Sequence, residues 1–158
     1  MDDIEKLVVG AIVVCSKRVL LLTRAEGEFM GGLVELPSGG VEAGESLKQA
    51  LLRELEEETA LADGVVLKAY VDHFDYVSAS GKRARQFNFL VESASDHVSL
   101  NHKEHADYLW LDISLVPFED INMSEATRNS ITAALKLQED GGAQLCRTSV
   151  GDTPGRRV

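Results

Sequence analysis

The chain is poor in cysteine and contains no long apolar run. Its 158 residues include two cysteines, Cys15 and Cys146, which are too few for a disulfide framework and suit a reducing compartment. No apolar run approaches the roughly 18 residues of a membrane span. The first residues, Met1-Asp2-Asp3, are acidic where a signal peptide is basic. We therefore expect a cytoplasmic protein with no membrane partner.

Basic residues are also scarce: 16 Lys and Arg stand against 26 Asp and Glu, a formal charge of −10. Such a chain lacks the basic surface that holds the backbone of a nucleic-acid polymer, so we do not expect that class of partner. A small phosphorylated substrate remains compatible, because a bound cation can reverse the local field. The hydrophobic content of 44% is typical of a globular protein, and the length fits one domain.

The most informative segment runs from Gly39 to Leu61, where a pair of glycines leads into a sequence crowded with carboxylates. Ser46 and Gln49 have the spacing of a capping box, in which each side chain bonds the other residue's backbone N–H. This pattern predicts a helix from Leu47 to about Thr59.

Three glutamates of this helix, Glu54, Glu57 and Glu58, are spaced i, i+3, i+4 and share one face. Like charges on one face repel each other unless a cation lies among them. A hard divalent cation such as Mg²⁺ prefers carboxylate and carbonyl oxygens, so a metal site is one explanation. A solvated acidic face, with Arg53 as an ordinary helical partner of Glu57, is the other.

The spacing of the whole segment resembles the Nudix box of MutT-like proteins. The matching residues are Gly39, Glu45 and the run Arg53-Glu54-Leu55-x-Glu57-Glu58-x-Ala60-Leu61. Ala60 is the one departure, because the family usually has glycine there and alanine tolerates a left-handed backbone poorly. The substitution could alter the end of the helix, but it removes no ligand. The resemblance implies a hydrolase that cleaves nucleoside diphosphates linked to another moiety with Mg²⁺ or Mn²⁺.

The resemblance also implies roles for individual residues. The expected metal ligands are the Ser38 carbonyl and the carboxylates of Glu54, Glu57, Glu58 and Glu104. Glu104 is included because a glutamate just before an aromatic strand, here Tyr108-Leu109-Trp110-Leu111, approaches the metals in MutT-like members.

The catalytic expectations concern Glu54, Glu57, Arg53 and Glu104. Glu54 is the favoured acceptor of a proton from water, although the family varies in which glutamate is the base. Arg53 is expected to orient Glu57, and Glu45 to stabilise the turn before the helix.

The expected substrate contacts are less specific. Gly39 and Gly40 lack side-chain bulk, so their backbone can approach a metal ion or a phosphate closely. Arg24 could reach phosphates or be a surface charge. Tyr76 could stack on a base. His105 is expected to be structural or exposed rather than catalytic.

The hydrophobic pattern predicts an α/β domain. The expected strands are 6–15, 18–24, 33–36, 65–76, 85–91 and 107–112, with loops at 26–32 and 93–106 and a second helix over 124–138. The resemblance implies the Nudix-type αβα sandwich with a central mixed sheet. We expect residues 1–138 to form the domain and residues 139–158 to form a flexible tail.

The expected substrate is a small nucleotide. A compact chain without the N-terminal extension of sugar-nucleotide hydrolases favours nucleoside triphosphates, normal or oxidised, cleaved to monophosphate and pyrophosphate. Sugar nucleotides, dinucleoside polyphosphates and a non-catalytic nucleotide-binding module remain alternatives, as does a structural domain with an acidic docking helix. Either a monomer or a homodimer is compatible with the sequence.

Overall fold

A computed structural model describes residues 3–27, 30–115 and 118–140. In chain order the elements are β1 (Lys6–Cys15), β2 (Arg18–Arg24), β3 (Val34–Glu35), β4 (Ser38–Gly40), α1 (Leu47–Thr59), β5 (Val65–Val77), β6 (Arg83–Ser93), β7 (His105–Asp112), a short 3-10 helix (Ile113–Leu115) and α2 (Glu125–Asp140). Among these elements no helix is long and apolar enough to cross a membrane.

The strands form one mixed sheet around β1. Strand β1 runs parallel to β6, and β6 pairs antiparallel with β5. On its other side β1 has two antiparallel partners: its first half pairs with β4 and its last residues with β2. Strand β2 in turn pairs with β3 and β7. The β4 segment is thereby held beside the middle of the sheet.

One helix covers each face of this sheet. Alternate residues of β1 point to opposite faces, so Val9 and Val13 join Leu51 of α1 in one buried cluster. Ile12 of the same strand joins Ile131 of α2 in the other cluster. The expected αβα sandwich is confirmed, and burial on both faces explains why β1 is continuously apolar.

The first helix begins and ends where the sequence predicts. Ser46 accepts from the backbone of Gln49, and both bonds of the capping box are present. The helix ends at Thr59 because Ala60 adopts the left-handed conformation, with φ of 66°, and donates its N–H to Glu56 O at 2.8 Å. The alanine thus occupies the conformation for which glycine is the usual residue.

Several expected boundaries are wrong. Ser38–Gly40 forms a strand where none was expected, because its backbone pairs with β1 although its residues have low strand propensity. The strand expected at 33–36 is limited to Val34–Glu35, and β7 starts at His105, inside the expected loop. Helix α2 extends to Asp140, past the expected end. The remainder of the expected tail, and parts of the 26–32 loop, lie outside the described residues.

Candidate active site

The acidic face of α1 meets the backbone of β4. A β-carbon at Gly39 would overlap the Glu54 carboxylate, so only glycine leaves room for that side chain. The neighbouring Ser38 donates its backbone N–H to Glu58 Oε1 at 3.1 Å. The pairing of β4 with β1 therefore fixes the backbone against which two of the three expected glutamates lie.

Arg53 connects the loop before α1 to the helix. It holds Glu45 with two hydrogen bonds, Nε to Oε2 at 2.6 Å and Nη2 to Oε1 at 2.9 Å, and donates to Gly40 O at 2.9 Å. Its Nη1 donates to Glu54 Oε2 at 2.9 Å and to Glu57 Oε1 at 3.3 Å. The shorter bond shows that Arg53 orients Glu54 more firmly than Glu57, although Glu57 is the residue that Arg53 was expected to orient.

Glu45 is the fixed anchor of this arrangement. The hydrogen bonds from Arg53, with a further one from the backbone of Glu42, lower the pKa of Glu45 to about 2. The same bonds raise the pKa of Arg53. Both groups stay charged over the working pH range, so the loop and the helix remain linked by a charge-assisted pair.

Glu58 is a buried carboxyl group that has no cationic partner among the residues that the structure describes. Its exposure is 7%, and burial raises the pKa of Glu58 to about 9, with further increases from the charges of Glu54, Glu104 and Glu35. The hydrogen bond from Ser38 opposes this shift without cancelling it. A cation among these oxygens would remove the cost of ionising Glu58. Carboxylate oxygens are the donors that a hard divalent ion such as Mg²⁺ prefers, so the donor set fits the implied metal.

The three glutamates of the stripe are not equivalent. Glu54 is partly buried, and burial raises the pKa of its carboxyl while the hydrogen bond from Arg53 opposes that shift. The Glu57 side chain is 55% exposed and lies at the rim. Glu56, outside the stripe, is exposed. The depth of the site therefore increases from Glu57 to Glu58.

Glu104 joins the cluster from the loop just before β7. Its carbonyl accepts from Ala25 N at 2.8 Å just before β7 begins. One ligand atom each from Glu58, Glu104 and His105 lie within 4.8 Å of one another. The structure thus brings Glu104 to the α1 glutamates, although it is 46 to 50 residues away in the chain.

Arg24 and His105 meet on a carboxylate that the sequence did not single out. Glu35 Oε2 accepts from Arg24 Nη1 at 3.0 Å and contacts His105 Nε2 at 2.7 Å. His105 is 2% exposed, so it is buried beside the cluster rather than exposed. Glu35 could have been flagged as a lone acidic residue in the apolar run Leu33-Val34-Glu35-Leu36, since a buried carboxylate needs partners.

Tyr76 lies close to this group. Burial and the charge of Glu35 raise the pKa of the Tyr76 phenol, and the charge of Arg24 opposes the increase. Its ring centroid is 6.1 Å from that of Phe74. The residues expected to contact substrate therefore border the carboxylate cluster. Arg24 and Tyr76 lie near Glu35, and Gly40 lies near Arg53, whose guanidinium donates to the Gly40 carbonyl.

The family model described as "NUDIX domain" matches residues 5–134. A protein from Campylobacter jejuni named "RNA pyrophosphohydrolase" is 27% identical over 150 residues, covering 85% of this chain and 92% of that protein. An "8-oxo-dGTP diphosphatase" from Proteus vulgaris is 43% identical over 63 residues, 39% of this chain and 56% of that protein.

A solved structure supports the same fold. The crystal structure of a MutT protein from Methanosarcina mazei Go1 superposes with a TM-score of 0.73 over 87% of this chain and 98% of that chain. The two sequences are 23% identical over this match, so the likeness concerns the fold alone.

Proposed function

The chain belongs to the NUDIX family and is a hydrolase of nucleotide pyrophosphate linkages. On that premise we propose that its substrate is a nucleoside triphosphate, normal or oxidised, which it converts to monophosphate and pyrophosphate. The observation that carries the proposal is the buried Glu58, whose carboxyl lies near the charges of Glu54 and Glu104 and has no cationic partner within the described ranges. Such a cluster is suited to hold a divalent ion and, through it, the phosphates.

The metal is proposed to be Mg²⁺, with Mn²⁺ as a substitute. Its holders would be the carboxylates of Glu54, Glu57, Glu58 and Glu104 and the backbone carbonyl of Ser38. A bound divalent ion supplies neutralisation of phosphate charge and a lowered pKa of the attacking water. The remaining work belongs to the side chains of the chain itself.

Glu54 is the proposed proton acceptor. Arg53 Nη1 holds its Oε2 at 2.9 Å, and within the described part of the chain no hydrogen-bond donor is assigned to Oε1. Oε1 is therefore available to accept the proton of the attacking water as the new P–O bond forms and pyrophosphate leaves. Glu45 keeps Arg53 in place during this step.

The substrate contacts are proposed from their positions beside the cluster. Arg24, held at Glu35, lies where a phosphate oxygen could reach its guanidinium. Tyr76 offers an aromatic face for a base. Gly39 and Gly40 leave space for the phosphates to approach the backbone.

A second candidate is removal of pyrophosphate from the 5′ end of an RNA. The name of the Campylobacter jejuni relative, which matches over 85% of this chain, favours it. The chemistry at the triphosphate is the same, but a polymer would have to bind a chain with a formal charge of −10, which opposes backbone contacts. We therefore place free nucleotides first. We also propose that the enzyme is cytoplasmic and acts as a monomer or homodimer; light scattering would determine its mass in solution.

The test is a hydrolysis panel with Mg²⁺ that includes nucleoside triphosphates, their oxidised forms, 5′-triphosphorylated RNA, sugar nucleotides and dinucleoside polyphosphates. Monophosphate and pyrophosphate should appear from a nucleoside triphosphate and vanish with a chelator. Cleavage of the RNA with none of the free nucleotides would favour the second candidate. Metal binding without cleavage of any member would indicate a nucleotide-binding module instead of the proposed enzyme.

A further inference from the structure

His105 is a nitrogen donor at a cluster that otherwise offers oxygens. One ligand atom from each of Glu58, Glu104 and His105 lies within 4.8 Å of the other two. Two ligands bound to one ion at about 2.1 Å are separated by at most about 4.2 Å. The three groups therefore need to move only slightly to share an ion.

One nitrogen of the imidazole is already held by a carboxylate. His105 Nε2 contacts Glu35 Oε2 at 2.7 Å, and Arg24 Nη1 donates to the same oxygen at 3.0 Å. Because an ionised carboxylate only accepts hydrogen bonds, Nε2 carries the proton of this contact. In the neutral ring Nδ1 then holds the lone pair, and no hydrogen-bond partner for Nδ1 is found among the described residues.

The backbone around the histidine is also held in place. His105 pairs with Arg24 across β2 and β7, next to an irregularity in the register between Thr23 and Arg24. The carbonyl of Glu104 accepts from Ala25 N at 2.8 Å. The backbone of both ligand-bearing residues at this strand end is therefore held in place before any ion binds.

A second buried group points to the same ligand. Glu58 is 7% exposed, and its Oε1 accepts from Ser38 N. Its Oε2 is left without a hydrogen-bond donor among the described residues. Among the described residues Arg128 Nε is the one buried side-chain atom without a hydrogen-bond partner, so Glu58 Oε2 keeps accessible surface through which a cation can approach it.

We propose that His105 Nδ1 is a metal ligand together with Glu58 and Glu104, and that this nitrogen makes the position bind Mn²⁺ more tightly than Mg²⁺, so that Mn²⁺ can replace the Mg²⁺ proposed above. Imidazole suits transition-metal ions, whereas Mg²⁺ is bound mainly by oxygens. The arrangement of Glu35 behind His105 matches the carboxylate–histidine pairs that orient metal-bound imidazoles. The inference rests on the proposed metal-dependent function and adds a ligand and an ion preference to it.

The test uses Mn²⁺ and the full-length protein. Pulsed electron paramagnetic resonance of the Mn²⁺ complex should show coupling to a directly bound ¹⁴N nucleus in the wild type. The coupling should be lost in His105→Gln, whose amide can still donate to Glu35. It should persist in His102→Gln, an exposed histidine in the adjacent loop. Mn²⁺ affinity, measured by titration of the free-ion signal, should fall about tenfold or more in His105→Gln, and Mg²⁺ affinity should fall less.

A second variant covers the case in which His105→Gln fails to fold. Glu35→Gln leaves the imidazole in the protein and should weaken Mn²⁺ binding about 10- to 100-fold, the usual effect of losing a partner behind a ligand. Bound Mn²⁺ without ¹⁴N coupling in the wild type would overturn the inference and leave the proposed hydrolase intact. Absence of Mn²⁺ and Mg²⁺ binding would overturn both.

Discussion

Replacement of Glu58 by glutamine should stabilise the metal-free protein at alkaline pH. The pKa of Glu58 is raised from 4.5 to about 9, first by burial and then by neighbouring carboxylates. Between these two values the folded protein retains a proton that the unfolded chain has released. The proton on Glu58 therefore stabilises the folded protein most below pH 4.5, and this contribution is lost as the pH rises toward 9. Glutamine resembles the protonated acid and can still accept from Ser38.

The magnitude follows from one proton. A single retained proton changes the free energy of unfolding by about 1.4 kcal/mol per pH unit, so the pH range from 6 to 8 accounts for at most about 3 kcal/mol. Wild type and Glu58→Gln should be equally stable near pH 5 and should diverge above it, with the variant more stable at pH 8. The rest of the chain titrates in both proteins, so the difference isolates Glu58.

The assay is urea unfolding in a chelator, followed by the fluorescence of the single tryptophan, Trp110. Glu56→Gln, an exposed change on the same helix, is the control and should parallel the wild type. Excess Mg²⁺ should reverse the order, because an ion that binds only the folded protein stabilises the wild type more. Parallel pH profiles for wild type and Glu58→Gln, or a less stable variant at pH 8, would refute the reasoning.

Two further changes test the helix end and the glycine beside the cluster. Ala60→Gly should raise the free energy of unfolding by about 0.5–1 kcal/mol, because alanine has φ of 66° there and glycine avoids that strain. The control Ala62→Gly, at a position where φ is not positive, should lower the free energy of unfolding. A lower free energy of unfolding in both variants would contradict the strain at Ala60. Gly39→Ala should reduce kcat strongly, because the new β-carbon displaces the Glu54 carboxylate. Gly40→Ala should cause a smaller loss of kcat. Equal kinetics in the wild type and both variants would exclude a role for the close contact between Gly39 and Glu54.

The sequence predicts the start of α1 and the approximate position of its end because the signals for this helix are local. The capping box at Ser46 and Gln49 and the apolar stripe lie within the helix itself. The glutamate stripe could be read from helical spacing for the same reason. The strand β4 could not, because three residues with two glycines have no pattern of their own and pair only through contact with β1.

The link between Glu35 and His105 also could not be predicted. These residues are 70 positions apart and meet only because β3 and β7 both pair with β2. Such contacts depend on register, which local hydrophobic patterns do not specify across distant strands. Residue-level roles that depend on this link, including that of Arg24, therefore required the fold.

The central claim is that a metal-loaded carboxylate cluster around Glu58 cleaves a nucleotide. The most direct measurement is pyrophosphate release from nucleoside triphosphates in Mg²⁺, compared among wild type, Glu58→Gln and Glu56→Gln. We expect equal rates for wild type and Glu56→Gln and a loss of at least about 100-fold for Glu58→Gln, beyond the range usual for partners behind a ligand. Near-normal turnover by folded Glu58→Gln would contradict the account.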